Sequence, residues 1–277
     1  MPSTAIVTDS TSDVPPEEAK ALSIEVVPVL ITLEGRSYVD GLELSRTDFY
    51  RRLPMTKAPA TTAAPSLRTF EAVYEKVLSQ GAERVLSIHL SEKLSSLINS
   101  ARQAATSFGD SVQVFDSWQV SLAAGFQVMQ AAAAALAGET FETILEVAQK
   151  ARDHARVVAM IDTLEYIRRS GRVSWLRAGL GDLLRVKLLV RVADGVVQRI
   201  GEARTKARAL EQLRSIAEGW GPLERLAILH SGVPAEAAEF AQRLRDLCGQ
   251  SPLIVDVTTA IGTHVGPGSI GLAALSR

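Results

Sequence analysis

The 277 residues contain a single cysteine, Cys248, so neither an internal disulfide nor a cysteine-based metal cluster can form. A reducing compartment fits that usage. Aromatic residues make up only 5% of the chain. Aliphatic residues and alanine must therefore fill the core, which suits a smooth-walled apolar cavity and equally an ordinary Ala- and Leu-rich interior. No uninterrupted apolar run reaches the ~18 residues of a membrane span, and Met1 to Asp9 lacks a basic region followed by a long apolar stretch. The expectation is a cytoplasmic protein. A net charge of −1 argues against a surface coated in positive charge for nucleic acid, so any anion site must be local. The phosphate-loop, zinc-protease and hydrolase-elbow motifs are absent. Gly266, Gly268 and Gly271 match the dinucleotide glycine spacing formally, yet only six residues follow Gly271, too few for the helix and strand that motif requires. No cofactor and no resident metal are expected. No fixed-period repeat points to a solenoid or propeller.

What is present reads as an α/β protein. The 47% hydrophobic and 22% charged composition is that of a globular chain, and the length admits two modest domains. Ala5-Ile6-Val7 is a short apolar run stopped by Thr8-Asp9-Ser10-Thr11, after which Pro15-Pro16-Glu17-Glu18 opens a helix with proline and acids in its first turn. The same strand, polar loop and helix order recurs at Arg84 to His89 and at Val112 to Phe115. Such alternation predicts a parallel sheet covered by helices, with ligands gathering past the carboxyl ends of its strands. Pro54 to Ser66, rich in Pro, Ala and Thr, reads as a long loop. A helix over Phe141 to His154 precedes the domain boundary. Beyond it come a strand at Val157 to Ile161, a hairpin around Asp194-Gly195, a helix from Lys206 to Trp220, and strands at Leu226 to Leu229 and Leu253 to Val257 around a helix from Pro234 to Cys248. The expected fold is thus an N-terminal parallel α/β/α sandwich over 1–155 and a C-terminal α+β mixed sheet over 156–277.

Four constellations carry chemistry. Thr61-Thr62-Ala63-Ala64-Pro65-Ser66 places hydroxyls before a helix start, where they either cap the helix or help its unpaired N–H groups hold an anion. Ser91, Ser95, Ser96 and Ser100 form a second cup of the same kind, with capping as the more frequent use. His264 sits among Gly262, Gly266 and Gly268, whose lack of side chains favours close approach of a ligand; a structural histidine is the equal alternative. Arg168 to Arg191 is a locally basic strip, readable as a solvated face or as a surface for phosphate, membrane headgroups or an acidic partner. Asp9 and Asp116, at strand ends, can hold a cation but more often serve as caps or loop acids.

Ile6-Val7-Thr8-Asp9-Ser10-Thr11-Ser12-Asp13, Asp162-Thr163-Leu164-Glu165-Tyr166-Ile167 through Gly171-Arg172, and Ile261-Gly262-Thr263-His264-Val265-Gly266-Pro267-Gly268 together resemble the DegV family over essentially the whole chain. The resemblance implies a two-domain bacterial lipid-binding protein that holds a long-chain fatty acid in an interior tunnel, between or inside the domains. On that resemblance it is expected not to be an enzyme itself but to present the carboxylate to a separate fatty acid kinase, giving an acyl phosphate for phospholipid synthesis. By motif position the resemblance makes Thr62, Ser95 and His264 the carboxylate contacts and Arg172 a phosphate or partner contact. Transient membrane-surface contact is a further expected partnership; nucleic acid is not. The chain departs from the family's motifs where Ala63 and Ala64 replace a serine and a glutamine, where Ser96-Leu97 replaces the Gly-Thr of the Ser-Gly-Thr helix entrance, and where Ser170 replaces the first glycine of the Gly-Gly-Arg turn. Burying about fourteen methylenes is worth roughly 11 kcal/mol before association costs, so the tail would drive binding and the polar head contacts would fix orientation. A stand-alone acyl hydrolase or transferase using Ser95 or Thr62 with His264 is the competing assignment.

Overall fold

The computed structural model describes residues 3–171 and 186–277. The chain divides into two compact units. The first comprises Met1–Val29, Ala64–Ala155 and Asp194–Val196, and the second Leu30–Ala63, Arg156–Ala193 and Val197–Arg277. One boundary falls at the expected 155/156 position, but the units are not the contiguous domains read from the sequence. Residues 30–63 build a sheet of their own within the second unit, for a reason found in their hydrogen bonds below.

The first unit contains a parallel four-stranded sheet in the order β2 (Ile24–Val27), β1 (Thr4–Asp9), β6 (Arg84–His89), β7 (Val112–Asp116). β1 is buried along its whole length, as an inner strand of a helix-covered parallel sheet must be. Helix α1 (Pro16–Ala21) begins on its proline with Glu17 and Glu18 in the first turn, so the lost N–H is one that no helix satisfies and the acids face the positive end of the dipole. Helix α3 (Leu67–Ser79) is capped by Ser66, whose hydroxyl accepts from the Thr69 N–H. Helix α4 (Leu97–Ala105) packs against α3 and β7. Helix α5 (Leu122–Leu136) is apolar on nearly every face and accordingly buried, and it packs against α6 (Phe141–His154) and β1. Gly125 lets α5 close onto the loop after β1: a Cβ there would lie 2.5 Å from the Ser12 carbonyl oxygen.

The second unit has a six-stranded mixed sheet in the order β10 (Val196–Ala203), β9 (Lys187–Ala193), β8 (Ala155–Ile161), β13 (Ile270–Ser276), β11 (Leu223–His230), β12 (Leu253–Asp256). β8 runs antiparallel to β9 and β11 antiparallel to β13, whereas β11 and β12 are parallel. Alternate residues face opposite sides. Val158, Met160 and Leu189 join Ala209 and Leu213 of α8 (Lys206–Glu218) and Phe240 of α9 (Pro234–Arg243) in one core, while Ile161, Leu188 and Val190 join Leu164 and Ile167 in another. α9 ends at Arg243 rather than running to Cys248; Cys248 instead bridges Leu223, buried with its Sγ near the Leu223 and Glu224 carbonyls.

Residues 30–63 form a separate antiparallel sheet, β4 (Arg36–Val39), β3 (Leu30–Leu33), β5 (Thr61–Ala63), with α2 (Arg46–Arg52) between β4 and β5. The stretch expected to be one long loop therefore contains a short strand. It is strand-like because Thr61 and Thr62 pair with Thr32 and Ile31, a partnership invisible in a run of Thr and Ala.

Candidate functional site

Thr62 and His264 come together in the second unit. Directly paired residues of an antiparallel ladder share a face. Thr62 pairs with Ile31, which is fully buried, and the helix that contacts both strands is α10 (Thr259–Val265). His264 lies in the last turn of α10 and is half-buried, as is Thr62. Thr62 Oγ1 and His264 Nε2 stand 3.5 Å apart. At that separation one oxygen atom can sit about 2.8 Å from both, so the pair can hold a carboxylate oxygen without either group moving far. Hydroxyl and imidazole each donate or accept, which suits either protonation state of an acid.

The glycines around His264 prove to make room for the protein's own rings. A Cβ on Gly262 would lie 2.5 Å from Tyr50 Oη and 2.8 Å from Phe49 Cε1, and a Cβ on Gly232 would lie 2.8 Å from Tyr50 Cβ. A Cβ on Gly266, where φ is +70°, would collide with the Tyr166 ring, 2.7 Å from its Cε2 and Cγ and nearer still to its Cδ2. Phe49, Tyr50 and Tyr166 thus fill the space that side chains at Gly262 and Gly266 would need. Burial pushes the Tyr166 hydroxyl above its usual range, Glu165 adds to the rise, and Arg169 opposes it.

Ser95 belongs to the first unit. It is half-buried, its N–H donates to the Ser91 carbonyl, and its Oγ accepts from the Leu97 N–H at the start of α4, so it serves as the helix's local cap while Ser96 makes no side-chain capping bond. Arg172 lies outside the described residues. Of its basic neighbours, Arg169 pairs with Glu165 and donates to the carbonyls of Thr56 and Lys57, Lys187 pairs with Asp162, and Arg191 donates to Gln198. Those cations are engaged with the second unit's own groups.

The polar loops of the first unit are likewise turned inward. Tyr74 Oη donates to Ser87 Oγ (2.9 Å), Ser87 Oγ lies 2.7 Å from His89 Nε2, and His89 Nδ1 lies 2.8 Å from Asp9 Oδ2. Asp9 Oδ1 accepts from the Thr11 N–H and hydroxyl. With Tyr74 as first donor, the chain runs consistently if Ser87 donates to Nε2 and an Nδ1–H imidazole donates to Asp9. Tyr74, Ser87, His89 and Asp9 are all fully buried. This Ser–His–Asp sequence of bonds thus has no face open to a substrate, and both Asp9 oxygens are spent within the protein rather than kept for a cation. Asp116 is spent similarly, accepting from the Trp118 N–H. Ser121 enters α5 at φ 54°, ψ −151°, a region that glycine normally occupies, and is held by its N–H to the Thr11 carbonyl and its hydroxyl to Asp13.

Among the described residues no group of three or more His, Cys, Asp or Glu could hold a metal ion, and no helix is long and apolar enough to cross a membrane. A hollow of about 290 Å³ in the first unit is lined by Arg84, Arg102, Asp110 and Gln113 among others; none of the expected contacts borders it.

These features define an α/β protein of two units, one built on a parallel and one on a mixed sheet, with a helix-borne histidine set against a strand-borne threonine. The family model described as "Uncharacterised protein, DegV family" matches residues 3–277. The chain belongs to the DegV family. A DegV domain-containing protein of Deinococcus radiodurans is 35% identical over 98% of each chain, and one of Streptomyces coelicolor is 34% identical over 99% of this chain and 98% of its own. Among solved structures, a DegV family protein from Thermus thermophilus described as fatty acid binding superposes over 100% of both chains with a TM-score of 0.92 and 33% identity. DegV from Bacillus subtilis, described as a fatty acid binding protein, gives 0.89 at 28% identity over 100% of both chains.

Proposed function

We propose that this chain binds one long-chain fatty acid, holds its carboxylate at Thr62 and His264, and presents it in the cytoplasm to a separate fatty acid kinase that makes the acyl phosphate used in phospholipid synthesis. The observation that carries the binding is the whole-chain likeness to the fatty-acid-binding protein of Thermus thermophilus. The 3.5 Å approach of Thr62 and His264 supports the placement of the head, since an acid drawn into an apolar site forfeits several kcal/mol unless it is given partners. The family resemblance adds Ser95 as a further hydroxyl contact and Arg172 as a phosphate or partner contact, and the basic run from Arg168 to Arg191 in the sequence favours transient association with a membrane surface. Nucleotide and metal belong to the kinase in this reading, and the chain needs no cofactor of its own.

Native mass spectrometry of protein made in a bacterium should show one acyl chain per protein. A bare chain that also takes up no added palmitate contradicts the proposal. With a fatty acid kinase supplied, Thr62→Ala combined with Ser95→Ala should lower phosphorylation of the acid more than its retention. Equal loss of both would remove the division between tail and head.

A further inference from the structure

Residues 30–63 carry more than Thr62: the same segment also grips the helix that bears His264. Tyr50, at the buried face of α2, donates its hydroxyl to the Val257 carbonyl at 2.9 Å, just before α10 begins. Asp40, itself buried, accepts from the Thr259 hydroxyl at 2.6 Å on the first residue of α10, and Arg46 donates to the Asp256 carbonyl. The Tyr50 and Phe49 rings occupy the space that a side chain at Gly262 would need. Thr263 then closes the helix internally through its hydroxyl to the Thr259 carbonyl.

Gly262 and His264 are two residues apart, and at ~3.6 residues per turn their side chains leave the helix about 200° apart. α10 therefore carries the α2 aromatics on one side and Thr62 on nearly the opposite side. The thickness of the Tyr50–Gly262 contact sets how far His264 reaches toward β5. A hydrogen-bonded pair tolerates only a few tenths of an ångström of change, so that spacing decides whether one oxygen can reach both groups.

We propose that Tyr50, assisted by Asp40, is the positioning residue of the Thr62–His264 pair: through its bond to Val257 and its ring against Gly262 it sets their separation from the far side of α10. The proposal rests on the fatty-acid reading for the identity of the ligand, but not for the geometry. It also accounts for Gly262, which is glycine because the ring occupies its side-chain position.

The test is Tyr50→Phe, which keeps the ring and removes the hydrogen bond to Val257. Two readouts separate positioning from general stability. The first is the preference for palmitate over its methyl ester, which shares the tail but lacks the ionisable head. Tyr50→Phe should reduce that preference about five-fold while ester affinity stays within about two-fold. The second is histidine side-chain NMR of the ligand-free protein, in which the His264 ring signals should move while those of His154 stay. Gly262→Ala, which forces the ring and helix apart, should move the His264 signals further. Acid and ester weakening together, or His264 signals unchanged in Tyr50→Phe, would overturn the proposal. His264→Ala is the control for the ligand: if it retains the palmitate preference, the head assignment fails, and the NMR result still decides the positioning role independently.

Discussion

The first unit should lose stability at high pH through one residue, Tyr74. Its side chain is fully buried and its hydroxyl donates to Ser87 at the head of the chain that ends on Asp9. Burial pushes the phenol from the usual 10.0 to about 12, and the bond to Ser87 offsets only part of that rise. A raised pKa in the folded state means that the folded protein keeps its proton after the unfolded chain has released it. The contribution is therefore intact below pH ~10 and is lost as pH rises from there toward ~12, because ionisation then favours the unfolded chain. A rise of that size caps the loss at roughly 3 kcal/mol, and at pH ~11.5 the expected loss is about 2 kcal/mol. The assay is urea unfolding by circular dichroism at pH 9 and pH 11.5 for the native chain and Tyr74→Phe. All other titrating groups are common to the two proteins, so the difference between their pH responses isolates Tyr74. The phenylalanine variant should be about 1 kcal/mol less stable at pH 9, from the lost hydrogen bond, and should close or reverse that gap at pH 11.5. A gap that is the same at both pH values would refute the reasoning.

Other perturbations follow from the same contacts. His89→Leu should cost about 3–5 kcal/mol in chemical denaturation, since it strands a buried Asp9 oxygen; a cost below 1 kcal/mol would mean that water or a rearranged side chain replaces the imidazole. Gly266→Ala, placed at φ +70° and against the Tyr166 ring, should lower the melting temperature by roughly 5 °C or more, and an unchanged value would show that Tyr166 moves aside freely. Arg172→Glu should slow turnover with a fatty acid kinase while leaving the lipid bound, as phosphate release assays and mass spectrometry would record; unchanged turnover would remove Arg172 from the site.

The βα alternation of the first unit was legible because its strands are short apolar runs cut by polar loops: Arg84 to His89 and Phe141 to His154 have in the structure the limits that pattern suggests. The second unit was read less completely. β13 escaped because Ile270–Ser276 is a run of Gly, Ala and Leu, and smallness is what its inner position requires: a Cβ on Gly271 would lie 2.9 Å from the Val158 carbonyl. β4 and β5 carry Arg, Ser and Thr and become strands only through their register with β3. α10 was hidden by Gly262, whose reason for being glycine is Tyr50, more than two hundred residues earlier. His264 stood out by its glycine neighbours and Thr62 within a hydroxyl-rich loop, and family resemblance paired them as ligand contacts; their spacing in sequence gives no sign that they meet. Burial commits the hydroxyls of Thr11, Ser12 and Ser87 each to an internal bond that sequence spacing does not reveal.

A density map of the protein grown with palmitate would put the head-group assignment to the most direct test. The prediction is a carboxylate oxygen within about 3.2 Å of both Thr62 Oγ1 and His264 Nε2. Palmitate bound with its carboxylate beyond hydrogen-bond reach of either residue would contradict it.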